Sequence, residues 1–113
     1  MVGYEQYTVG EWTVMRIKDN YFPGNEIMDL ADVFQNILDH GASRVAIRFP
    51  SGTYPYSRTI SFLVRCVKQA KPGSVPLAII TPDKKFSDVL SSCGLLEKLS
   101  IYPSETMLPD STG

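Results

Sequence analysis

Apolar residues recur with two periods along this chain, and the alternation of those periods predicts its secondary structure. Dense β-branched and aromatic residues over 4–9 and 11–17, with Gly10 between them, predict two strands joined by a tight turn. The apolar residues of the second strand fall on both parities, which predicts a strand buried on both faces. Over 25–40 the spacing becomes helical and predicts an amphipathic helix that ends at Gly41.

The rest of the chain continues this alternation of short apolar strands and longer helices. Strands are predicted at 45–49, 75–80 and 99–102, and helices at 57–71 and 81–93. The predicted order is therefore β-β-α-β-α-β-α-β. Because helices connect successive strands, we expect an α/β domain with a mixed, mostly parallel sheet and helices packed against it.

Polar residues near the ends of the two later helices predict where each helix begins. Ser57 is a candidate N-cap for the first of them. The sequence Thr81-Pro82-Asp83 offers the second a hydroxyl cap, a proline at the first helical position and an acid at its positive end. We expect both cysteines, Cys66 and Cys93, to be small buried residues on helix faces.

Composition narrows the classes of protein that this chain can represent. Its 113 residues are 43% hydrophobic and 20% charged, which is typical of one globular domain that buries roughly 65% of its unfolded surface. The net charge of −1 argues against general nucleic-acid binding, which needs a basic surface. Apolar runs are too short to cross a bilayer, and the polar N-terminus lacks the features of a signal peptide. Two cysteines argue against a disulfide framework, so we expect a cytoplasmic protein.

Four segments, in their order and spacing, resemble a known family. They are residues 14–18, 45–49, 76–80 and 89–102, the last of which contains a Gly-Leu pair before a short strand. Together they resemble the STAS domain, the module of bacterial anti-sigma-factor antagonists and of sulfate-transporter tails. The resemblance implies one STAS-like domain over 1–108, with a polar C-terminal tail at 109–113. The polar residues from 103 onward are expected to be frayed, with one helical turn at 104–108.

The loop after the third strand departs from the family pattern. In the antagonists this loop carries an Asp-Ser-Ser-Gly-type motif, and a partner kinase phosphorylates a serine in it. In this chain the motif falls on Tyr56-Ser57-Arg58-Thr59, so that tyrosine replaces the acid and arginine replaces the usual acceptor. A slip of one residue would make Ser57 the acceptor, and an ordinary N-cap is the alternative role for it. The resemblance therefore implies protein binding without the classical serine phosphoswitch.

Residues around this loop are candidates for binding a partner or an anion. They are Tyr21, Phe22, Arg48, Tyr54, Tyr56, Ser57 and Arg58. The aromatics come from two loops at the same end of the predicted sheet, and aromatics flanked by arginine are typical of interface cores. Alternatively, two or three of them fold inward as lids on the core. Arg48 and Arg58 either share an anion near the helix N-terminus or are solvated.

The remaining polar residues indicate neither a metal site nor a cofactor. The single histidine, His40, is expected to bond to carbonyl groups at the end of the first helix. The sequence lacks a Walker loop, a nucleophile elbow and a dinucleotide fingerprint, and no nucleophile–base pair can be assembled. We therefore expect a non-enzymatic regulatory module whose partner is an anti-sigma factor or a kinase-like regulator. The alternative is a STAS-like sensor of a small molecule or anion, and the oligomeric state stays open.

Overall fold

The alternating strands and helices form a mixed five-stranded sheet in a computed structural model that describes residues 3–19, 26–53 and 57–109. The strands lie side by side in chain order: β1 pairs antiparallel with β2, and β2 through β5 pair in parallel. Their bounds are Tyr4–Val9 (β1), Trp12–Ile17 (β2), Arg44–Arg48 (β3), Leu77–Ile80 (β4) and Ser100–Tyr102 (β5). This arrangement confirms the predicted α/β architecture and its mostly parallel sheet.

Three α-helices of the described residues connect the parallel strands. They are Glu26–Asp39 (α1), Ser57–Ala70 (α2) and Lys84–Ser92 (α3). Short 3-10 turns follow at Lys71–Gly73, Leu95–Glu97 and Glu105–Met107. Because the strand order is sequential, crossovers of one hand place all three helices on the same face of the sheet. Among the described residues, no helix has the length and apolar character needed to cross a membrane.

The core lies mainly between the sheet and its three helices. Each helix contributes a fully buried phenylalanine, and the strands contribute alternate side chains to the same cluster. Among the largest of these side chains are Phe34, Phe62 and Phe86 from the helices and Met15, Ile17, Ile47 and Ile79 from the strands. We call this side of the sheet the helix face.

The opposite side of the sheet, here called the second face, is also buried at its centre. It consists of Trp12, Val14, Ala46, Ala78 and Ile80, against which Leu108 packs. β2 therefore buries residues of both parities, which confirms the prediction that both of its faces are covered. The cover on the second face comes partly from the C-terminal residues.

The start of α3 differs from the prediction. The helix begins at Lys84, with Asp83 as its N-cap residue, so Thr81 and Pro82 precede the helix. Thr81 is buried, and its Oγ1 accepts a hydrogen bond from the Asp83 N–H at 3.2 Å. The hydroxyl thus closes a local turn, a role that competes with helix capping for threonine.

The two cysteines have different surroundings. Cys66 is fully buried in α2, as predicted, and burial raises the pKa of its thiol. Cys93 is exposed, so the prediction that it is buried was wrong. It is the C-cap residue of α3 and follows the last buried residue of that helix, Leu90, by three positions. The chain then turns away through Gly94, whose φ of +74° suits a residue without a Cβ.

Candidate functional site

The loop after β3 is held in a compact turn at the carboxyl edge of the sheet. Phe49 anchors its start, since its ring is buried and lies 4.9 Å, centroid to centroid, from the ring of Phe86. The carbonyl of Pro50 then accepts two hydrogen bonds from Thr53, from the N–H at 3.3 Å and from Oγ1 at 2.7 Å. Between them Gly52 has a φ of +84°, in the left-handed region that favours glycine.

Asp83 connects this turn to the next βα loop. The Gly52 N–H donates a hydrogen bond of 2.8 Å to Asp83 Oδ2. Asp83 is the N-cap residue of α3 but makes no side-chain capping bond there, so its carboxylate binds the neighbouring loop instead. The loops after β3 and β4 are therefore joined where adjacent parallel strands end, the usual position of binding sites in open α/β sheets.

A shallow hollow lies between these two loops. Its volume is about 440 Å³, and it is lined by Ser51, Gly52, Thr53, Pro82, Lys84 and Lys85 together with Asp83 and Phe86. Asp83, which joins the two loops, was not among the site residues predicted from the sequence. Its signal is an acid beside a helix start, which the helix dipole explains equally well.

The first turn of α2 contains the predicted Ser57 and Arg58. Ser57 is the first helical residue, which agrees with its capping signal to within one position, and both side chains are exposed. Thr59 is fully buried, and its Oγ1 has no hydrogen-bond partner. All four aromatic candidates lie outside the described residues: Tyr21, Phe22, Tyr54 and Tyr56.

Arg48 extends from the second face of the sheet, whereas α2 packs on the helix face. The alternation along β3 places Arg48 on the same side as Ala46. Its Nη1 bonds to Glu105 Oε1 at 2.9 Å, and the hydroxyl of Tyr7 donates to the same oxygen. Arg48 is therefore engaged with the C-terminal residues, on the other side of the sheet from the helix that contains Arg58.

This Arg48–Glu105–Tyr7 cluster joins β1, β3 and the C-terminal 3-10 turn. Hydrogen bonding to Tyr7 and to Glu105 raises the pKa of Arg48. Burial, followed by the hydrogen bond to Glu105, raises the pKa of Tyr7 above its usual value of 10.0. Both shifts favour a protonated tyrosine and a charged arginine around one carboxylate, which is a stable arrangement near neutral pH.

Residues 103–109 form a segment across the second face, which we call the C-terminal strap. Beyond Glu105, the strap accepts a hydrogen bond of 3.0 Å from Trp12 Nε1 at the carbonyl of Pro109. The guanidinium of Arg44 lies 5.7 Å from the centroid of the Trp12 ring. The predicted helical turn is confirmed at Glu105–Met107. The expected fraying was wrong for residues 103–109, since these bonds tie them to three strands, and residues 110–113 lie outside the described residues.

His40 has the role expected from its position at the end of α1. Its Nδ1 lies 2.6 Å from the carbonyl oxygen of Asn36, four residues earlier. The contact confirms the prediction that the ring bonds to a terminal carbonyl of the helix. His40 lies at the opposite edge of the sheet from the loop after β3, because α1 ends where β3 begins.

Comparisons with solved structures find matches to this fold over nearly its full length. The solution structure of the protein TM1081 has a TM-score of 0.69 and 20% sequence identity, and the match covers 94% of this chain and 83% of that chain. A crystal structure of the same protein, from Thermotoga maritima, has a TM-score of 0.66 and 19% sequence identity. The protein is described as a proposed anti-sigma factor antagonist. This second match covers 91% of this chain and 88% of the other.

The sequence comparisons add no assignment: no family model matches the chain, and no curated protein matches it. The similarity to TM1081 is thus one of fold, and it extends over nearly the whole chain. The mostly parallel sheet with helices packed against it agrees with the resemblance drawn from the sequence. The chain has a STAS-like fold.

Proposed function

We propose that this protein is a non-enzymatic regulatory module that binds a protein partner in the manner of an anti-sigma-factor antagonist. The observation that carries the proposal is the match of fold, over 94% of this chain, to a protein described as a proposed antagonist of that kind. The partner would be an anti-sigma factor or a kinase-like regulator. No step of this function requires a cofactor.

The docking surface that we propose is the loop 50–58 with the first turn of α2. Three features of the chain support it. The turn at 50–53 is held by the Gly52–Asp83 bond, so it would lose little conformational freedom on binding. Ser57 and Arg58 are exposed beside it at a helix start. The predicted aromatic candidates Tyr54 and Tyr56 come from the same loop, and Tyr21 and Phe22 from the loop before α1.

Arg48 belongs to this proposal in a different way. Its side chain is directed to the second face and paired with Glu105, so we infer that it acts on the docking surface indirectly, by holding the end of β3 from which the loop departs. A direct contact with the partner would require the Arg48–Glu105 pair to open. The two roles can be separated by experiment, as developed in the Discussion.

A binding experiment tests the docking surface. Purified anti-sigma-factor kinases are titrated with the protein by isothermal calorimetry, and the Arg58→Glu variant is compared with Arg65→Glu. Both arginines are exposed on α2, but they are seven residues, or about 10 Å, apart along the helix. We expect a partner to lose about tenfold or more in affinity with Arg58→Glu and little with Arg65→Glu. Equal losses, or no binding to any kinase of the panel, would contradict the proposed surface.

A second experiment tests the absence of the serine phosphoswitch. The protein is incubated with the same kinases and MgATP beside an antagonist that has the Asp-Ser-Ser-Gly motif, and both are examined by mass spectrometry. We expect phosphate on the control protein and none on this one, because arginine occupies the usual acceptor position. Stoichiometric phosphate at Ser57, absent from the Ser57→Ala variant, would refute this part of the proposal.

One observation favours a second candidate function, the sensing of an anion or small molecule. The hollow of about 440 Å³ beside the loop is lined by residues 51–53 and by Lys84 and Lys85, with Asp83 as its acidic residue. A thermal-shift screen with phosphate, carboxylates and nucleotides separates the two functions. A sensor would gain stability with one ligand class and lose that gain in Lys84→Glu, whereas a partner-binding module would respond to none.

A further inference from the structure

A second groove lies at the opposite edge of the molecule from the loop 50–58. It is bounded by the last two turns of α2, the start of β4 and the turn Leu95–Glu97, and its volume is about 590 Å³. Its walls are mainly apolar and come from Val64, Val67, Ala70, Val75 and Leu95. None of these residues belongs to the docking surface proposed above.

The groove lies beside the end of α3, which is a short helix. The helix has nine residues and buries only Phe86 and Leu90, and the chain leaves it at Gly94. The turn that follows places Leu95 in the core but leaves Leu96 45% exposed beside the groove. Val64 and Val67 of α2, which line the groove, are only half-buried.

The rim of the groove is basic. Lys68 and Lys71 lie on one side and Lys98 on the other, with Glu97 as the single acidic residue of the lining. All four are exposed, and among the described residues none of them makes an ion pair. The positive rim contrasts with the net charge of −1 of the whole chain.

The basic character extends along α2. This helix contains Arg58, Arg65 and Lys68 and no acidic residue, whereas α1 contains four acidic residues and no basic one. The helix layer is thus divided into an acidic and a basic side, and the groove lies on the basic side. An apolar cleft whose rim is mainly positive, with three lysines and one glutamate, selects for a partner with negative charge.

We propose that this groove binds an acidic amphipathic helix of a partner protein. Such a helix would place apolar residues at i, i+3, i+4 and i+7 between α2 and the turn Leu95–Glu97, with carboxylates directed at the three lysines. The acidic helix of this chain itself, α1, does not fit this description, because its apolar residues are already buried against the sheet. The groove would give the module a second attachment point, independent of the loop 50–58.

A designed peptide provides the test. The probe is a synthetic helical peptide with leucine on one face and glutamate on the other, and the comparison peptide has lysine in place of glutamate. Chemical-shift changes in the 15N-labelled protein are followed during titration with each. We expect the glutamate peptide to shift the amide signals of 64–75 and 94–98 and to leave those of 50–53 unchanged. Its binding should weaken with added salt.

Charge reversal distinguishes specific binding in the groove from non-specific binding elsewhere on the surface. We expect the double substitution Lys68→Glu and Lys98→Glu to weaken binding of the glutamate peptide about tenfold or more and to strengthen binding of the lysine peptide. The control substitution Lys84→Glu, at the other end of α3, should have little effect on either affinity. Four outcomes would overturn the proposal. The two peptides could bind equally, or the perturbed amides could lie elsewhere. The protein could prefer anionic lipid vesicles to the peptide, or it could self-associate and block the groove. Loss of kinase binding in Arg58→Glu has no bearing on it.

Discussion

Separating the Arg48–Glu105 pair is the change that best distinguishes a structural arginine from a binding one. In the folded protein the Arg48 side chain is 41% exposed and that of Glu105 is 22% exposed, with 2.9 Å between Nη1 and Oε1. Arg48→Met keeps most of the aliphatic stem and removes the charge, and Glu105→Gln keeps an acceptor oxygen and removes the carboxylate. Neither substitution removes an atom of the Trp12–Pro109 hydrogen bond.

The expected magnitude follows from the partial exposure of the pair. A fully buried hydrogen bond between charged groups contributes about 1.5–3 kcal/mol, while an exposed ion pair contributes about 0.2–1 kcal/mol. With two-fifths of the arginine side chain in solvent, solvent screening brings the value toward the lower range, so we expect a coupling free energy of about 1 kcal/mol. For a domain of this size, a loss of that amount lowers Tm by about 4 °C.

A double-mutant cycle measures this coupling. Unfolding free energies of the wild type, both single variants and the double variant are determined by urea denaturation at low and high salt. We expect the double variant to lose about 1 kcal/mol less than the sum of the singles, with a smaller coupling at high salt. Additive losses would refute the view that this pair holds the C-terminal strap. Reduced partner affinity in Arg48→Met at unchanged stability would return Arg48 to the docking surface itself.

Three further predictions concern the hydrogen bonds and thiols described above. Asp83→Ala should lower the free energy of unfolding by about 1 kcal/mol and speed amide exchange at Gly52, while Asp83→Asn, which keeps an acceptor, should lose less; an unchanged exchange rate at Gly52 would contradict the link. Tyr7→Phe should cost about 1 kcal/mol near neutral pH. Because the folded-state pKa of Tyr7 lies above 10.0, its contribution to the free energy of unfolding is complete below pH 10.0 and is lost as the pH rises through the folded pKa. Urea denaturation of both proteins across this pH range should show that the free energy of unfolding falls more steeply at alkaline pH in the wild type. Finally, a thiol reagent should modify Cys93 in the native protein and reach Cys66 only after unfolding, and rapid modification of both would contradict the burial of Cys66.

Local patterns predicted the elements well because periodicity and capping depend on neighbouring residues. β1 lies at the predicted 4–9, and α1 differs from its predicted range by one residue at each end. The predictions that failed involve choices between alternative partners. Thr81 closes a turn instead of capping α3, and Asp83 binds a neighbouring loop. Each of these side chains can form either bond, and only the position of the next loop decides between them.

The candidate site could be predicted in position but not in its contacts. The start of α2 at Ser57 follows from a local signal, so the sequence alone is enough to place the proposed docking surface at a helix start. The partner of Arg48 carried no such signal, since Glu105 is 57 residues away in a segment whose composition indicates fraying. Trp12 and Leu108 likewise come together only when the strap crosses the second face.

By itself, the sequence determined the order of the elements and the mostly parallel sheet, because strand and helix periods are properties of the chain alone. The order and spacing of four segments supplied the resemblance to the STAS domain. The tertiary structure decided which side of the sheet each polar residue faces. It directed Arg48 away from α2, brought Glu105 to it, and left the basic groove beside α3 uncovered. The physical reason is that contacts between distant residues depend on the parity of a strand, because a shift of one residue moves its side chains to the other face of the sheet.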